Sequence, residues 1–323
     1  MRFFNKQAIE SLDLEDIQKA VAHAYTLVLD NAFHMPDRMH VPRGENTLLL
    51  MPCFSGDHFA TKLVSVFPGA AASGLPVVNG ILVLADNHTG APLAIMDGAA
   101  LTAARTGAVG GLAVACLAPE TVHTAGIIGA GVQGLSQARF LLFNRKISTL
   151  WVADLDQTAA GAMADTLKKS HPHVQFQVAK NARDLVDACQ VVICATTSTQ
   201  PVFEANPEDV TGKTFISIGS FTPKMKELPD AVIAAADTVY VDTPFAEKES
   251  GDICIPLQNQ VVSRDKIQPF APVTRHPVAI GHDKTWFFKS VGMALFDLTV
   301  ASAVYALGKE KNVGQVLVMR GEG

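Results

Sequence analysis

The stretch GIIGAGVQGLSQARF, Gly126 to Phe140, reads as the end of a strand, a glycine turn and the start of a helix. GAGVQG fits G-x-G-x-x-G with Gly129, Gly131 and Gly134. The first glycine permits a tight turn, the second lets a pyrophosphate approach the backbone, and the third lets the helix pack on the strand. Backbone N–H groups where the helix opens, at Val132 and Gln133, then face the phosphates. Taken alone, such a turn can also merely join a strand to a helix.

The flanking residues favour the nucleotide. The next apolar run, TLWVAD, ends in Asp154, 25 residues after Gly129, where a carboxylate accepts hydrogen bonds from the adenosine ribose. An acid there repels a 2′-phosphate, so the cofactor expected is NADH or NADPH with the balance toward NADH, and Asp156 adds to that balance. Strands are predicted at 124–129, 149–154, 174–179, 190–195, 214–219 and 238–242, with helical stretches such as QTAAGAMADTLKKS and ARDLVDAC between them. Alternation of this kind predicts a parallel sheet covered on both faces. CATTSTQP, Cys194 to Pro201, closes the fourth strand, and ligands bind beyond the carboxyl ends of such strands. Thr196, Thr197 and Ser198 are therefore candidates for the nicotinamide side, against the alternative of an ordinary polar loop.

Upstream the pattern differs. Residues 11–29 have helical spacing at Leu14, Ile17, Val21, Tyr25 and Val28, with Ser11 or Asp13 as cap. NAFHMPDRMHVPRGEN is irregular or edge-like, and TLLLMPCF and FATKLVSVFP are short apolar segments. GILVLAD and PLAIMDG flank DNHTGA as a hairpin. Residues 99–117 form a small-residue helix, and a last helix covers roughly 290–308. The fold class expected is α/β: a Rossmann-type doubly wound parallel sheet inserted into a second, α+β domain. The domains expected are 1–118 with 289–323, and 119–288.

Composition narrows the function. The 323 residues are 48% hydrophobic and 18% charged, which is ample for buried cores, and a net charge of −5 without a basic cluster points away from nucleic acid. MRFFNKQAIESLDLEDIQKAV is broken by charges before a signal-peptide core, and no uninterrupted apolar run approaches the ~20 residues of a membrane span. Five cysteines without a CxxC pair predict inert thiols in a reducing, cytoplasmic setting. The scattered histidines, His171 and His173 included, give no metal site.

PDR…LLLMP, ATKLVS, DGAALTAARTGAV, GAGVQG and GSFTPKMKEL, in that order, resemble the ornithine cyclodeaminase / mu-crystallin family across nearly the whole chain. The resemblance implies a homodimer whose first domain, 1–118 with 289–323, binds the substrate and pairs the subunits. It also implies hydride exchange at a carbon carrying nitrogen and a carboxylate. It places Arg38, Lys62 and Arg105 at the substrate carboxylate, and Lys62 is also the catalytic candidate, the imine proton coming from solution, from Lys62 or from a water. The chemistry is apt, since an arginine grips a carboxylate through a planar fork. Lys62 sits in an otherwise apolar strand, where a lysine needs a partner. The plain alternatives are an edge-strand surface lysine and, for Arg105, a structural ion pair. The cofactor residues expected are Arg105, Thr106, Gly129, Gly131, Val132, Gln133, Gly134, Asp154, Thr196, Ser220, Ser290 and Val291. Ser290 and Val291 match the segment that returns to the nicotinamide in relatives; alternatively they are a helix N-cap and a core valine.

Two departures sharpen the expectation. Ornithine cyclodeaminase has an aspartate where this chain has Phe221 and a glutamate where it has Leu49. Loss of both acids removes the groups that would manage ornithine's second amine. The expected activity is therefore reduction of a cyclic ketimine carboxylate, Δ1-pyrroline-2-carboxylate to L-proline or Δ1-piperideine-2-carboxylate to L-pipecolate. GSFTP resembles the loop of bacterial reductases of this kind. An ornithine cyclodeaminase or alanine dehydrogenase-like oxidoreductase, and a non-enzymatic nucleotide-binding protein like mu-crystallin, are the other readings.

Overall fold

The glycine turn organises one of two compact units. In the computed structural model, which describes residues 1–278, 280, 281 and 283–318, the units are Thr106–Gly292 and Met1–Arg105 with the segment from Met293 onward. The expected return segment 289–323 runs past the described residues at 319–323.

In Thr106–Gly292 the strand Thr124–Ile128 enters the turn and the helix Val132–Asn144 leaves it. Eight strands lie side by side in the order Ile267–Pro269, Thr238–Val241, Trp286–Lys289, Thr214–Ser217, Val191–Cys194, Thr124–Ile128, Thr149–Ala153, Gln175–Val178. All are parallel, and the chain reverses its direction of travel across the sheet at Thr124–Ile128, the place where such sheets open a ligand crevice. The six predicted strands are present, each within one or two residues of the expected bounds. Ile267–Pro269 and Trp286–Lys289 are additional. WFFK is buried at every position and only four residues long, so it carries no alternation to read.

The unit boundary falls inside the helix Gly98–Leu117 rather than after it. Its second half is tied to the nucleotide-binding unit: Gln137 donates to the Thr106 carbonyl at 2.7 Å, and the Arg145 guanidinium donates to the carbonyls of Val114, Ala115, Ala118 and Pro119. This helix is the one among the described residues long and apolar enough to cross a membrane, despite Arg105 within it; it is mostly buried in protein.

The other unit is built on a seven-stranded sheet in the order Gln315–Val316, Arg2–Phe4, Pro92–Asp97, Val78–Asp86, His58–Val66, Asn46–Ser55, Met39–Arg43. Arg2–Phe4 runs parallel to Pro92–Asp97, and every other pair is antiparallel, including the predicted hairpin. Alternation sorts the side chains into two faces. Ala60 and Lys62, Met51 and Cys53, and Leu82 and Leu84 are buried on one face. The helices Leu14–Leu29 and Ala294–Glu310 pack together there, with Tyr25 edge-on to Phe296 at 5.1 Å. The opposite face leaves Met39, Val41, Leu63 and Ile81 exposed. The first helix starts at Leu14, with Asp13 at its N-cap position but making no cap bond; Ser11 instead ends a separate short helix, Lys6–Glu10.

Candidate active site and cofactor cradle

Lys62 lies opposite Met51 and Leu82 in the middle of the covered sheet face, and its side chain is 3% exposed. An ammonium there is costly without a counter-charge. Asp297, in the first turn of Ala294–Glu310, supplies it: Nζ donates to Oδ1 at 3.0 Å, and Oδ2 lies 2.8 Å away as an ion pair. Nζ also donates to Thr102 Oγ1 at 3.2 Å. One helical turn beyond Thr102, Arg105 donates from Nε to the same Asp297 Oδ1 at 3.0 Å. A helix N-terminus favours a carboxylate, which helps hold this buried one.

The charges here shape one another. Burial lowers the Lys62 ammonium, the carboxylate of Asp297 pulls it back up and the charges of Arg105 and Arg38 lower it again, which together leave it at about 8. Burial pushes Asp297 up, yet Lys62 and Arg105 together outweigh this and hold it below the usual carboxylate range. Arg38, half-buried just before the strand Met39–Arg43, thus stands near enough to belong to the group. Two cations, Lys62 and Arg105, share the one carboxylate of Asp297, so the cluster retains positive charge and suits an incoming anion. Leu49, half-buried, shares the face of Met51 and Lys62. Cys53 is an inert thiol, pushed up to about 12 by burial and then by Asp297.

In the nucleotide-binding unit the three motif glycines have separable roles. Gly129 has φ +104, a conformation L side chains avoid, and a Cβ there would come within 2.7 Å of the Ala195 carbonyl oxygen. A Cβ on Gly134 would stand 1.8 Å from the Gly129 oxygen. At Gly131 a Cβ would meet nothing within 4 Å, so internal packing does not ask for glycine there. A pyrophosphate passing over that backbone does. Gly131 is also the N-cap of Val132–Asn144 and provides no side-chain cap, which leaves the N–H groups at Val132 and Gln133 to a phosphate. The residues present therefore fit a dinucleotide. Asp154 Oδ2 accepts the Ala130 N–H at 2.6 Å and Oδ1 that of Asp156 at 2.9 Å, so the carboxylate braces the turn with lone pairs left for a ribose. Asp156 instead caps the helix Gln157–Ser170, accepting from Thr158 and Ala159.

Beyond the strand ends, Glu227 gathers the loops. Its Oε1 accepts the Thr196 N–H at 2.6 Å and hydroxyl at 3.0 Å; Oε2 accepts the N–H groups of Gly219 at 2.7 Å and Ser220 at 3.1 Å. Ser217 Oγ lies 2.7 Å from both Glu227 Oε2 and Asp252 Oδ2 and accepts from Lys289 Nζ at 2.7 Å. The Ser220 side chain is fully buried against the Met225 carbonyl and Ser250, so it braces its loop from within. Ser290 donates to Asp242 Oδ2 at 2.6 Å, and the N–H groups of Val291 and Gly292 reach the same oxygen. Ser290 is no helix cap, since Met293 holds that position, and Val291 packs in the core. Phe221 is half exposed.

The structure thus brings Lys62, Arg105 and Arg38 together in one unit and the glycine turn, Asp154 and Thr196 around the sheet's carboxyl edge in the other. Asp297 and Glu227 are not among the residues expected from the sequence. Asp297 carried a readable signal, a lone acid in the apolar run ALFDLTVASAV. Glu227, in KMKEL, carried none.

The family model described as Ornithine cyclodeaminase/mu-crystallin family matches residues 4–312. A Delta(1)-pyrroline-2-carboxylate reductase of Bacillus cereus is 30% identical over 277 residues, 84% of each chain. Among solved structures, the Thermococcus litoralis Delta(1)-pyrroline-2-carboxylate reductase in complex with NADH and L-proline is 29% identical. It superposes with a TM-score of 0.90, covering 98% of this chain and 100% of that one. An archaeal alanine dehydrogenase dimer with bound NAD is 26% identical with a TM-score of 0.89, covering 99% of both chains.

Proposed function

The chain belongs to the ornithine cyclodeaminase/mu-crystallin family, and from that premise we propose that it reduces a cyclic ketimine carboxylate with a nicotinamide cofactor. The substrates are Δ1-pyrroline-2-carboxylate, giving L-proline, and Δ1-piperideine-2-carboxylate, giving L-pipecolate. The observation that carries this reading is the buried pair of cations, Lys62 and Arg105, on the single carboxylate of Asp297, with Arg38 near Lys62, on a sheet face otherwise apolar. Leu49 and Phe221, in place of the two acids of ornithine cyclodeaminase, suit a ring without a second amine.

Arg38 and Arg105 grip the substrate carboxylate, Arg105 through its planar fork. Lys62, held near neutrality, gives the imine nitrogen its proton as C2 receives the hydride, so C=N becomes CH–NH and the charges balance. The bound dihydronicotinamide supplies that hydride. Gly131 with the N–H groups at Val132 and Gln133 seats the pyrophosphate, Asp154 takes the ribose hydroxyls and favours NADH over NADPH, and Thr196 lines the nicotinamide side. Ser290 and Val291, pinned by Asp242, complete that side through their backbone.

The same reading includes a homodimer. Leu63 pairs across the sheet with Leu50 and Ile81, and Met39 with Leu50, so the exposed face is a continuous apolar band suited to a second copy. Leu63→Lys is expected to give a monomer by light scattering. Free cysteines fit a reducing, cytoplasmic setting.

The deciding experiment follows NADH and NADPH absorbance with each cyclic imine, with pyruvate plus ammonia, and with ornithine. Oxidation of NADH by a cyclic imine is the expected result. Release of ammonia from ornithine without imine reduction would overturn the assignment.

A further inference from the structure

We propose that Asp297 is the positioning residue of the cation site, holding Lys62 and turning Arg105 so that both address one substrate carboxylate; this rests on the reductase reading. Three elements meet at one oxygen. The strand His58–Val66 brings Lys62, the helix Gly98–Leu117 brings Arg105, and Ala294–Glu310 brings Oδ1, 3.0 Å from both Nζ and Nε.

The way Arg105 binds is informative. Among the described residues its guanidinium donates only through Nε, on the flank of the fork. The two terminal amino groups, the pair that grips a carboxylate side-on, are left for an incoming anion. A purely structural ion pair would be expected to use that stronger fork on Asp297 itself. Asp297 is 1% exposed and carries two cations, so it does not neutralise its surroundings. A substrate carboxylate supplies the missing negative charge.

Asp297 also sets when Lys62 carries a proton. The groups facing Lys62 are Asp297, Arg105 and Arg38, with neutral Thr102 beside it and Cys53, near Asp297, held as a thiol. Of these only Asp297 favours the charged lysine. Turnover that needs ionised Lys62 is present at low pH and lost as pH rises through its folded pKa of about 8. Removal of the Asp297 charge moves that loss to lower pH.

The test compares wild type with Asp297→Asn and Asp297→Glu. It measures kcat, KM for imine and for NADH, and the pH profile of kcat/KM. A second measurement follows the Lys62 ammonium by NMR of ε-13C-lysine protein, the signal assigned with Lys62→Met. For Asp297→Asn the expected result is a KM for imine raised about tenfold. The basic limb and the Lys62 titration should both move acidward by about one unit, with KM for NADH within about twofold of wild type. Asp297→Glu keeps the charge, so its limb stays near wild type while the displaced oxygen raises KM for imine. Wild-type titration and imine KM retained in Asp297→Asn overturn the proposal. Should that variant not fold, unchanged KM for imine in Asp297→Glu overturns it equally. A wild type inert toward both imines sinks the reductase reading, whereas the NMR titration still decides whether Asp297 governs Lys62.

Discussion

Replacing Lys62 by methionine separates a functional lysine from a structural one, because the two roles predict opposite changes in stability. In the folded protein burial, only partly offset by Asp297, takes the ammonium from its ordinary 10.5 to about 8. By linkage the folded state disfavours the charged form by about 3 kcal/mol. The sign follows from proton counting. Between the folded and unfolded pKa values the unfolded chain binds more protons, so stability rises with pH there. The penalty is fully present below about pH 8 and is relieved as pH rises toward 10.5. Methionine fills similar space without a charge, and Asp297 keeps Arg105 as partner. Lys62→Met is therefore expected to gain up to ~3 kcal/mol at pH 7, measured by urea unfolding, with the advantage shrinking toward pH 10. Turnover with the cyclic imine should fall by about a hundredfold or more, with NADH affinity unchanged. A variant that loses stability by ~3 kcal/mol at pH 7 and still turns over would show that Lys62 is there for the fold, and the site assignment would fail with it.

Other residues give independent checks. Gly131→Ala should leave stability within about 0.5 kcal/mol and raise KM for NADH about tenfold, whereas Gly134→Ala, whose methyl meets the Gly129 oxygen, should destabilise by ~2 kcal/mol; equal effects would undo the division of labour in the turn. Asp154→Ser should weaken NADH and improve NADPH in steady-state KM, and unchanged selectivity would remove Asp154 from the ribose. Glu227→Gln turns an acceptor into a donor facing buried N–H groups, and a loss of about 3 kcal/mol in chemical unfolding with a raised KM for NADH is expected; wild-type stability would mean the loops do not depend on it.

The sequence made the nucleotide-binding unit legible because its signals are local. A glycine turn, an acid at the next strand end and alternating apolar runs each act over a few residues, and all six strands predicted from them are present. What escaped is non-local or too short for periodicity. Trp286–Lys289 slots between Thr238–Val241 and Thr214–Ser217, a position set by packing rather than by neighbours in the chain. Asp156 reads beside Asp154 as a second cofactor acid, but its carboxylate caps the following helix, and nothing in the local spacing separates those fates. Ser220 likewise stands in a loop that suggests a ligand, while its hydroxyl is consumed by Met225 and Ser250.

Asp297 shows how such a partner is found from sequence. Lys62 lies in FATKLVSV, Arg105 in AALTAARTGAV and Asp297 in ALFDLTVASAV, each the lone charge of an apolar run. Elements this apolar are buried, and a buried charge survives only beside its opposite. Two isolated cations therefore require an isolated anion, and Asp297 meets that description although it lies 235 positions from Lys62. Two cations on one carboxylate leave a positive charge unmatched. Among the described residues of this unit no second buried acid balances it, so a small organic acid is the natural completion of the site. The excess charge is thus what ties this cluster to substrate rather than to stability alone. Chloride or acetate should accordingly protect the Lys62 ammonium in the NMR titration, raising its pKa in the absence of any imine. A titration indifferent to such anions would mean the positive excess is not open to a ligand.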